Sequence, residues 1–425
     1  MSNNENDSNK PLGPGCDVFD PGRLTLAAAI EQILDATPTP TRSKKVKLRQ
    51  SLGRVLAQDI RADADVPNHT NSAMDGYAFN GAGLDADGFA SLRVIGTVFA
   101  GKPFDGMVNE AEAAKIMTGA VMPAGTDTVV MQEYIDRTDD VVSITKAAKT
   151  GQNVRQAGED ISKGSVVFEA GRRITAAELG VLASLGVSKL KVFKKPRVAY
   201  FSNGDEVRQV GEKLKHGELY DSNRHTLYAM LRKVGVKSID MGVVGDDYKA
   251  IRKIIKKSNK IADMVITSAG ASVGEADYIY DVLTELGKVN LWKIAIKPGR
   301  PLAFGELSDS TFFGLPGNPV SVMTSFALCI KPAIEKMSGE QRNHPIQLKA
   351  RTTREIRKRP GRSEYQRALA YNDENGQLQV DPRKYQGSGV LSSMAEGNCF
   401  ISLDIDSTGA GVGDEVDIVL FSELF

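Results

Sequence analysis

Between about residues 196 and 338, strand-like apolar runs at 197–201, 238–244, 262–267 and 311–315 alternate with helical stretches. No other feature of the chain constrains its fold as strongly. Strands separated by helices cannot pair as tight hairpins, so they line up in parallel with helices covering the sheet. The expectation is an α/β domain with a largely parallel sheet. Asp221 and Ser222 precede a periodic segment, Leu227–Val234, that stops at Gly235, which reads as a capped helix.

At 425 residues the chain exceeds one compact core and should hold about three domains. Residues 1–20 are rich in Asn, Ser, Asp, Pro and Gly and are expected to be a disordered tail. Leu26, Ala27, Ile30, Ile33 and Leu34 recur at helical spacing behind Thr25, a cap for a first helix. Residues 46–60 read as helix then strand. Short strand-like runs at 92–99, 114–117, 128–134 and 141–145 form a small, mainly β domain inserted into the rest. A helix follows over 175–186, ending at Gly186. Beyond about 339 the runs Gln347–Arg351, Gln377–Val380 and Glu415–Val419 alternate without a helix, so a separate small β-barrel or sandwich is expected.

Composition narrows the function classes. Charged residues make up 25% and the net charge is +1, so no overall field holds the protein on nucleic acid or an anionic membrane. Any anion site is local. No apolar run approaches the roughly 18 residues of a membrane span, and residues 1–22 lack a signal-peptide core, so a soluble, cytoplasmic protein is expected. Cys16, Cys329 and Cys399 offer neither a disulfide framework nor a CxxC site, and His69, His216, His225 and His344 lack metal-ligand spacing.

Chemistry concentrates in loops. Asn71-Ser72-Ala73-Met74-Asp75-Gly76-Tyr77-Ala78 packs small, polar and acidic residues into a segment without helical or strand periodicity. Ligands of parallel α/β sheets bind outside the carboxyl ends of the strands. Three unusual loops leave such ends: Ser202–Glu206, Ser268–Asp277 and Pro316-Gly317-Asn318-Pro319. Glycine and serine present backbone N–H groups and hydroxyls to phosphate or another oxyanion. Asp205, Glu206, Asp246, Asp247, Glu275 and Asp277 offer oxygen ligands to magnesium. Neither GxxxxGK[ST] nor GxGxxG fits, which disfavours a generic NTPase or dinucleotide enzyme. Lys297-Pro298-Gly299-Arg300-Pro301 sets two cations three residues apart, a spacing that grips an oxyanion or marks an ordinary Pro-Gly turn. The basic stretch Arg351, Arg354, Arg357, Lys358, Arg359, Arg362 and Arg367 lacks aromatic interleaving, so a solvated face or phosphate rim outweighs nucleic acid.

These segments carry a resemblance. Asn71–Ala78, Met117–Ala120, Gly158–Asp160, Ser202–Val207, Ser268–Tyr278, Lys297–Pro301 and Gly314–Val320 stand in the order found in the MoeA family of molybdopterin molybdenumtransferases, which includes the gephyrin E domain. The resemblance spans residues 25–425. It implies an elongated four-domain subunit: a discontinuous linker and dimerisation domain (21–61 plus 161–195), the inserted mainly β domain (62–160), the α/β molybdopterin-binding domain (196–338) and a C-terminal β-barrel (339–425). It further implies a homodimer whose cleft joins the α/β domain of one subunit to the inserted domain of the other. The implied reaction inserts molybdate into adenylylated molybdopterin with release of AMP, assisted by Mg2+.

By position in those motifs, the resemblance assigns catalysis to Asp75, Thr118, Asp160, Glu206, Asp246 and Asp277, with Glu206, Asp246 and Asp277 at the metal. Ser272, Lys297, Arg300, Arg367 and Ser393 become candidates for molybdate. Gly270, Gly274, Pro316, Gly317 and Pro319 shape loops. The enzyme that adenylates molybdopterin and chaperones of molybdoenzymes are the implied partners, with no nucleic acid and no membrane. Two departures occur: His69-Thr70 where the family carries an aromatic and an acid, and Ala271 where it carries a glycine. Two other readings compete. A non-catalytic scaffold of the gephyrin E type need not retain Asp75, Glu206 and Asp277. A nucleotide pyrophosphate hydrolase, related through the α/β domain of the competence-damage family, leaves the Asp75 domain and the C-terminal barrel unexplained.

Overall fold

The computed structural model describes residues 24–269, 278–341 and 344–425. The chain forms two compact units, one from the N-terminal segment through Lys44 together with Phe193–Phe425, the other from Lys45–Val192.

The first unit is organised by a six-stranded sheet in the order Lys237–Val244, Arg197–Asn203, Met264–Ser268, Thr311–Leu315, Pro301–Leu307, Gly287–Lys293. The first four strands are parallel, as the alternation predicts. The last two join antiparallel and were not anticipated. Pro301 at a strand start and Gly305 within it hid one of them from a reading based on residue preference. They matter for the site, because Lys293 pairs with Pro301 and the Lys297–Arg300 loop becomes the connection between the edge strand Gly287–Lys293 and its neighbour Pro301–Leu307.

Met264–Ser268 and Thr311–Leu315 are buried at every position, the pattern of strands covered on both faces. One face packs Leu227, Leu231, Val322, Phe326 and Ile330 over Tyr200, Ile266 and Phe313. The other packs Ile251, Ile255, Ile279 and Leu283 over Phe201, Val265 and Phe312. Each such side chain contributes about 1.5–3 kcal/mol by leaving water. The first helix, Leu26–Ala36, is capped by Thr25, whose Oγ1 accepts from Ala28 N at 3.2 Å. Its buried residues Ala29 and Ile33 join the core of the α/β sheet, although the family-based division groups it with residues 21–61.

In the C-terminal region five strands, Ser363–Asn372, Leu378–Pro382, Gln347–Thr352, Glu415–Leu420 and Cys399–Leu403, close into a barrel when the first pairs with the last. Ala350, Val380, Ile401 and Ile418 fill it. Two short helices, Ser392–Glu396 and Phe421–Leu424, interrupt the expected all-strand pattern; neither is long enough to display a period.

The second unit holds a six-stranded sheet in the order Thr128–Met131, Gly76–Phe79, Glu112–Ile116, Ser91–Val98, Val141–Ile144, Ile135–Thr138. The segment read as lacking strand periodicity thus contains a strand paired on both sides, one place in from the sheet's edge. Gly76–Phe79 is buried at all four positions, so it shows no alternation. A separate core gathers Val46, Leu56, Ile60, Ile174, Leu182, Leu190 and Val192. Around it, residues 46–60 depart from the expected helix-then-strand order: strand Ser43–Lys47 comes first, followed by one 3-10 turn, Leu48–Ser51, and strand Ile60–Arg61. The helix expected over 175–186 runs Ala176–Ser184. Its start is fixed by Glu178, which is 6% exposed and accepts from the Thr175 backbone at 2.9 Å, the Thr175 hydroxyl and the Arg172 guanidinium at 2.7 Å.

Candidate active site

In the Lys45–Val192 unit, Asp75 occupies the turn entering the buried strand Gly76–Phe79, and Thr118 follows strand Glu112–Ile116, its antiparallel neighbour. Adjacent strands bring the two together although 43 residues separate them. Asp75 Oδ1 accepts from both the backbone N and the Oγ1 of Thr118, each at 2.7 Å. The backbone N–H first and the hydroxyl second hold the Asp75 carboxyl below its ordinary range. Gly76 is required here, since a Cβ would stand 2.0 Å from the Val130 carbonyl oxygen. Asp160 is exposed, and its backbone N donates to Val66 O at 3.1 Å. No described residue donates to its carboxylate.

In the other unit the acids gather at the carboxyl edge of the parallel strands. Asp246 Oδ1 accepts from Asn203 Nδ2 at 3.0 Å and its Oδ2 from Asp205 N at 3.3 Å; Asp246 N returns a bond to Asp205 Oδ1 at 3.0 Å. The two loops are thereby tied across neighbouring strands. Gly204, at φ +140°, has the Glu206 carboxylate 2.7 Å from where a Cβ would stand, so this acid folds back over bare backbone. Asp247, read as a possible cation ligand, caps helix Tyr248–Ile261 by accepting from Ala250 N at 2.7 Å.

Asp277, Ser272, Gly270 and Gly274 lie outside the described residues. The all-oxygen donors Glu206 and Asp246 suit a hard cation in kind. No group of three His, Cys, Asp or Glu placed to hold a metal occurs among the described residues.

The third loop of this edge is shaped as expected. Leu315 ends its strand, Pro316-Gly317 turns, Asn318 takes the N-cap position and Pro319 opens the helix Pro319–Ser325. The Gly317 carbonyl accepts from Asn223 Nδ2 at 2.7 Å. Asn203 and Asn223 were not singled out in the sequence. Asn223 adjoins the Asp221 cap and was absorbed into the helix reading, whereas Asn203 lay inside an already marked loop.

Cations collect on the barrel side of the same unit. Ile296–Lys297 pairs in parallel with Ser363–Glu364, and Lys297 Nζ reaches Glu364 Oε1 at 3.0 Å. Gly299 has φ +99°, and a Cβ there would stand 2.6 Å from Ser325 Oγ. The Arg300 carbonyl ties the loop to its base by accepting from Ile294 N at 2.8 Å. Further along strand Ser363–Asn372, Arg367 is 1% exposed. Its Nε donates to Ser393 Oγ at 3.0 Å, and its Nη2 to the carbonyls of Tyr385 at 3.2 Å and Gly387 at 2.9 Å. Ser388 O accepts from Val320 N at 3.1 Å, which joins this segment to the Pro316–Pro319 loop. The structure therefore unites Arg367 with Ser393, two candidates 26 residues apart. All three hydrogen-bond partners of the guanidinium are neutral, and burial pushes its pKa down to about 10. Among the described residues this buried cation has neutral acceptors and none of the counter-charge that usually accompanies burial. Arg351, Arg354, Arg357 and Arg359 are exposed, as a solvated face requires, with Arg354 paired to Asp381 at 2.8 Å and Arg357 to Glu355 at 3.1 Å. Lys358 departs from that reading, buried with its Nζ donating to the carbonyls of Ile405 at 3.1 Å and Ser407 at 3.0 Å.

Comparison with known proteins agrees along the chain. Residues 24–186 match the MoeA N-terminal region (domain I and II), residues 202–336 a probable molybdopterin binding domain, and residues 349–421 the MoeA C-terminal region (domain IV). The chain is 40% identical over 403 residues to the molybdopterin molybdenumtransferase of Haemophilus influenzae, covering 94% of this chain and 99% of that protein. It is 34% identical to the protein of the same name from Nostoc sp., covering 82% and 81%. The crystal structure of the molybdopterin biosynthesis moeA protein from Pyrococcus horikoshii OT3 superimposes with a TM-score of 0.80 at 32% identity, covering 94% of this chain and 100% of that one.

Proposed function

Since the chain belongs to the MoeA family, we propose that its acidic loops manage the phosphates and its buried arginine helps to hold the oxyanion of one reaction. The protein is a molybdopterin molybdenumtransferase, an enzyme of molybdenum cofactor biosynthesis that inserts molybdate. On our reading the molybdopterin arrives adenylylated, molybdenum is taken up by its dithiolene sulfurs, the pyrophosphate bond is cleaved and AMP leaves. The catalytic set is Asp75, Thr118, Asp160, Glu206, Asp246 and Asp277.

Glu206 and Asp246, with Asp277, are assigned to Mg2+, which when bound neutralises charge on the phosphates during cleavage. Asn203 and the Asp205 backbone keep the Asp246 carboxylate aimed along the strand edge, so its position is set before substrate arrives. The Thr118 donors keep Asp75 ionised and fix the orientation of its carboxylate. Asp75, Thr118 and Asp160 position substrate across a homodimer, in the cytoplasm. Lys297, Arg300, Arg367, Ser393 and Ser272 receive molybdate, while Gly270, Gly274, Pro316, Gly317 and Pro319 shape the loops around it. Transfer from the adenylating enzyme and delivery to molybdoenzyme chaperones complete the reading.

The observation that carries the molybdate assignment is Arg367, a 1% exposed guanidinium whose hydrogen-bond partners among the described residues are all neutral. A bound dianion would supply the missing charge. The test is AMP release from adenylylated molybdopterin and Mg2+, with and without molybdate, for wild type and Asp246→Ala. Molybdate-dependent release that is lost in the variant supports the reading. Release indifferent to molybdate would turn it towards a pyrophosphate hydrolase, and no release from the folded wild type towards a scaffold.

A further inference from the structure

We propose that Glu364 is a positioning residue for the oxyanion site, holding the Lys297 ammonium with its remaining donors turned towards the incoming anion. This rests on the reading of Lys297 as a molybdate ligand. Glu364 lies within the barrel strand Ser363–Asn372, three residues before Arg367, and its side chain is 7% exposed while that of Lys297 is 50% exposed. The carboxylate is therefore the fixed partner and the ammonium the accessible one.

Two contacts fix the carboxylate. Oε1 accepts from Lys297 Nζ at 3.0 Å and Oε2 from Gln366 Nε2 at 3.0 Å. The backbones are also in register, Lys297 opposite Glu364 and Ile296 opposite Ser363, with Ser363 N donating to Ala295 O at 2.9 Å. An ammonium has three donors, and Glu364 occupies one of them. The half-exposed head can direct the others to an anion without breaking the pair. Breaking it would strand a buried carboxylate, which is costly, so the pair stays intact when an anion binds.

The negative charge of Glu364 also repels an oxyanion, which opposes the benefit of holding the lysine. Ordering a free lysine side chain costs rotamer entropy, and Glu364 removes part of that cost from anion binding. Its repulsion is offset by the lysine it already neutralises. Positioning therefore outweighs repulsion, and the feature that matters is the acceptor at Oε1 rather than the charge.

The experiment is a double-mutant cycle read as KM for molybdate and kcat in molybdate-dependent AMP release, with Kd for molybdate measured by calorimetry on the apo-protein. Glu364→Ala should raise KM and Kd about 10-fold, the scale of one charge-assisted hydrogen bond, with kcat within about 2-fold of wild type. Glu364→Gln, which keeps an acceptor, should restore most of the affinity. Lys297→Ala combined with Glu364→Ala should be no worse than Lys297→Ala alone. A Glu364→Gln protein that binds molybdate more tightly than wild type would overturn the proposal in favour of repulsion. Additive losses in the double variant would overturn it in favour of general support of the barrel. If Lys297→Ala leaves KM and Kd for molybdate unchanged, the molybdate role of Lys297 fails first, and the proposal with it.

Discussion

Asp75 in the Lys45–Val192 unit and Arg367 in the barrel carry opposite charges under opposite conditions. Asp75 is exposed at the mouth of a strand and is satisfied by two donors from one threonine. Arg367 is enclosed, and its hydrogen-bond partners among the described residues are neutral oxygen atoms. An exposed charge is solvated whether or not it works, so its local bonds tune orientation and pKa at little cost to the fold. A buried charge is held against its own desolvation, and the surrounding barrel must be built around it. The comparison separates a site that can be altered without unfolding from one that cannot.

The largest test of that contrast is Arg367→Ala. It leaves the Tyr385 carbonyl without a partner and the Gly387 carbonyl with only the Val390 N–H, and it opens a cavity, so the expected loss is about 3 kcal/mol of stability by urea unfolding. Turnover should fall at least about 100-fold, the scale of removing one charged donor from a developing or bound anion. Arg367→Lys should recover part of the stability and little of the activity, because an ammonium cannot reproduce the planar fork. A stable, active Arg367→Ala protein would break the comparison.

Asp246→Asn is next. It keeps the shape of the Asp205–Asp246 link but removes the charge, and should lower turnover by about 100-fold while changing stability by no more than about 1 kcal/mol. Activity and urea midpoint measured on the same preparation separate the two effects. Thr118→Val should act more mildly. It deletes the hydroxyl donor and keeps the backbone donor, so the Asp75 carboxyl should titrate closer to 3.8 while remaining below it, read by carboxyl-carbon NMR. Turnover should drop about 10-fold. An unmoved Asp75 titration would mean that the hydroxyl bond is absent in solution.

The smallest effect belongs to a purely structural acid of the same unit. Thr175 and Arg172 hold the Glu178 pKa at about 2, below its usual 4.5. A depressed carboxylate stabilises the fold fully above its unfolded pKa and loses that contribution as pH falls through the folded value. Glu178→Gln should therefore cost about 1 kcal/mol at neutral pH, and the gap between variant and wild type should close between about pH 4.5 and 2. Activity should not change, which marks this acid off from Asp75.

Elements whose cause is local were legible along the chain. The caps at Thr25 and Asp221, the stop at Gly235 and the turn Pro316–Pro319 follow from residues next to one another. Two classes of element were not. Strands buried on both faces, such as Gly76–Phe79, show no alternation, and strands that begin with proline, such as Pro301–Leu307, resist a reading by residue preference. The acids of the α/β loops could be named from their positions after strands. That Asp247 caps a helix while Asp246 locks to Asp205 could not, since either carboxylate suits both roles chemically.

The order of residues alone determined the α/β alternation, the family motifs and the local caps, because each depends on neighbours within a few positions. Only the tertiary structure decided which charges meet. Thr118 reaches Asp75, Glu364 reaches Lys297 and Ser393 reaches Arg367 because strand pairing and barrel closure bring distant segments into contact. Burial then separates these charges further: the same basic residue type is solvated at Arg357 and enclosed at Arg367, ten residues along the chain, because one lies on the short two-stranded ribbon of Ile356–Arg357 with Gly409–Ala410 and the other on a barrel strand, packed beneath the 385–393 segment.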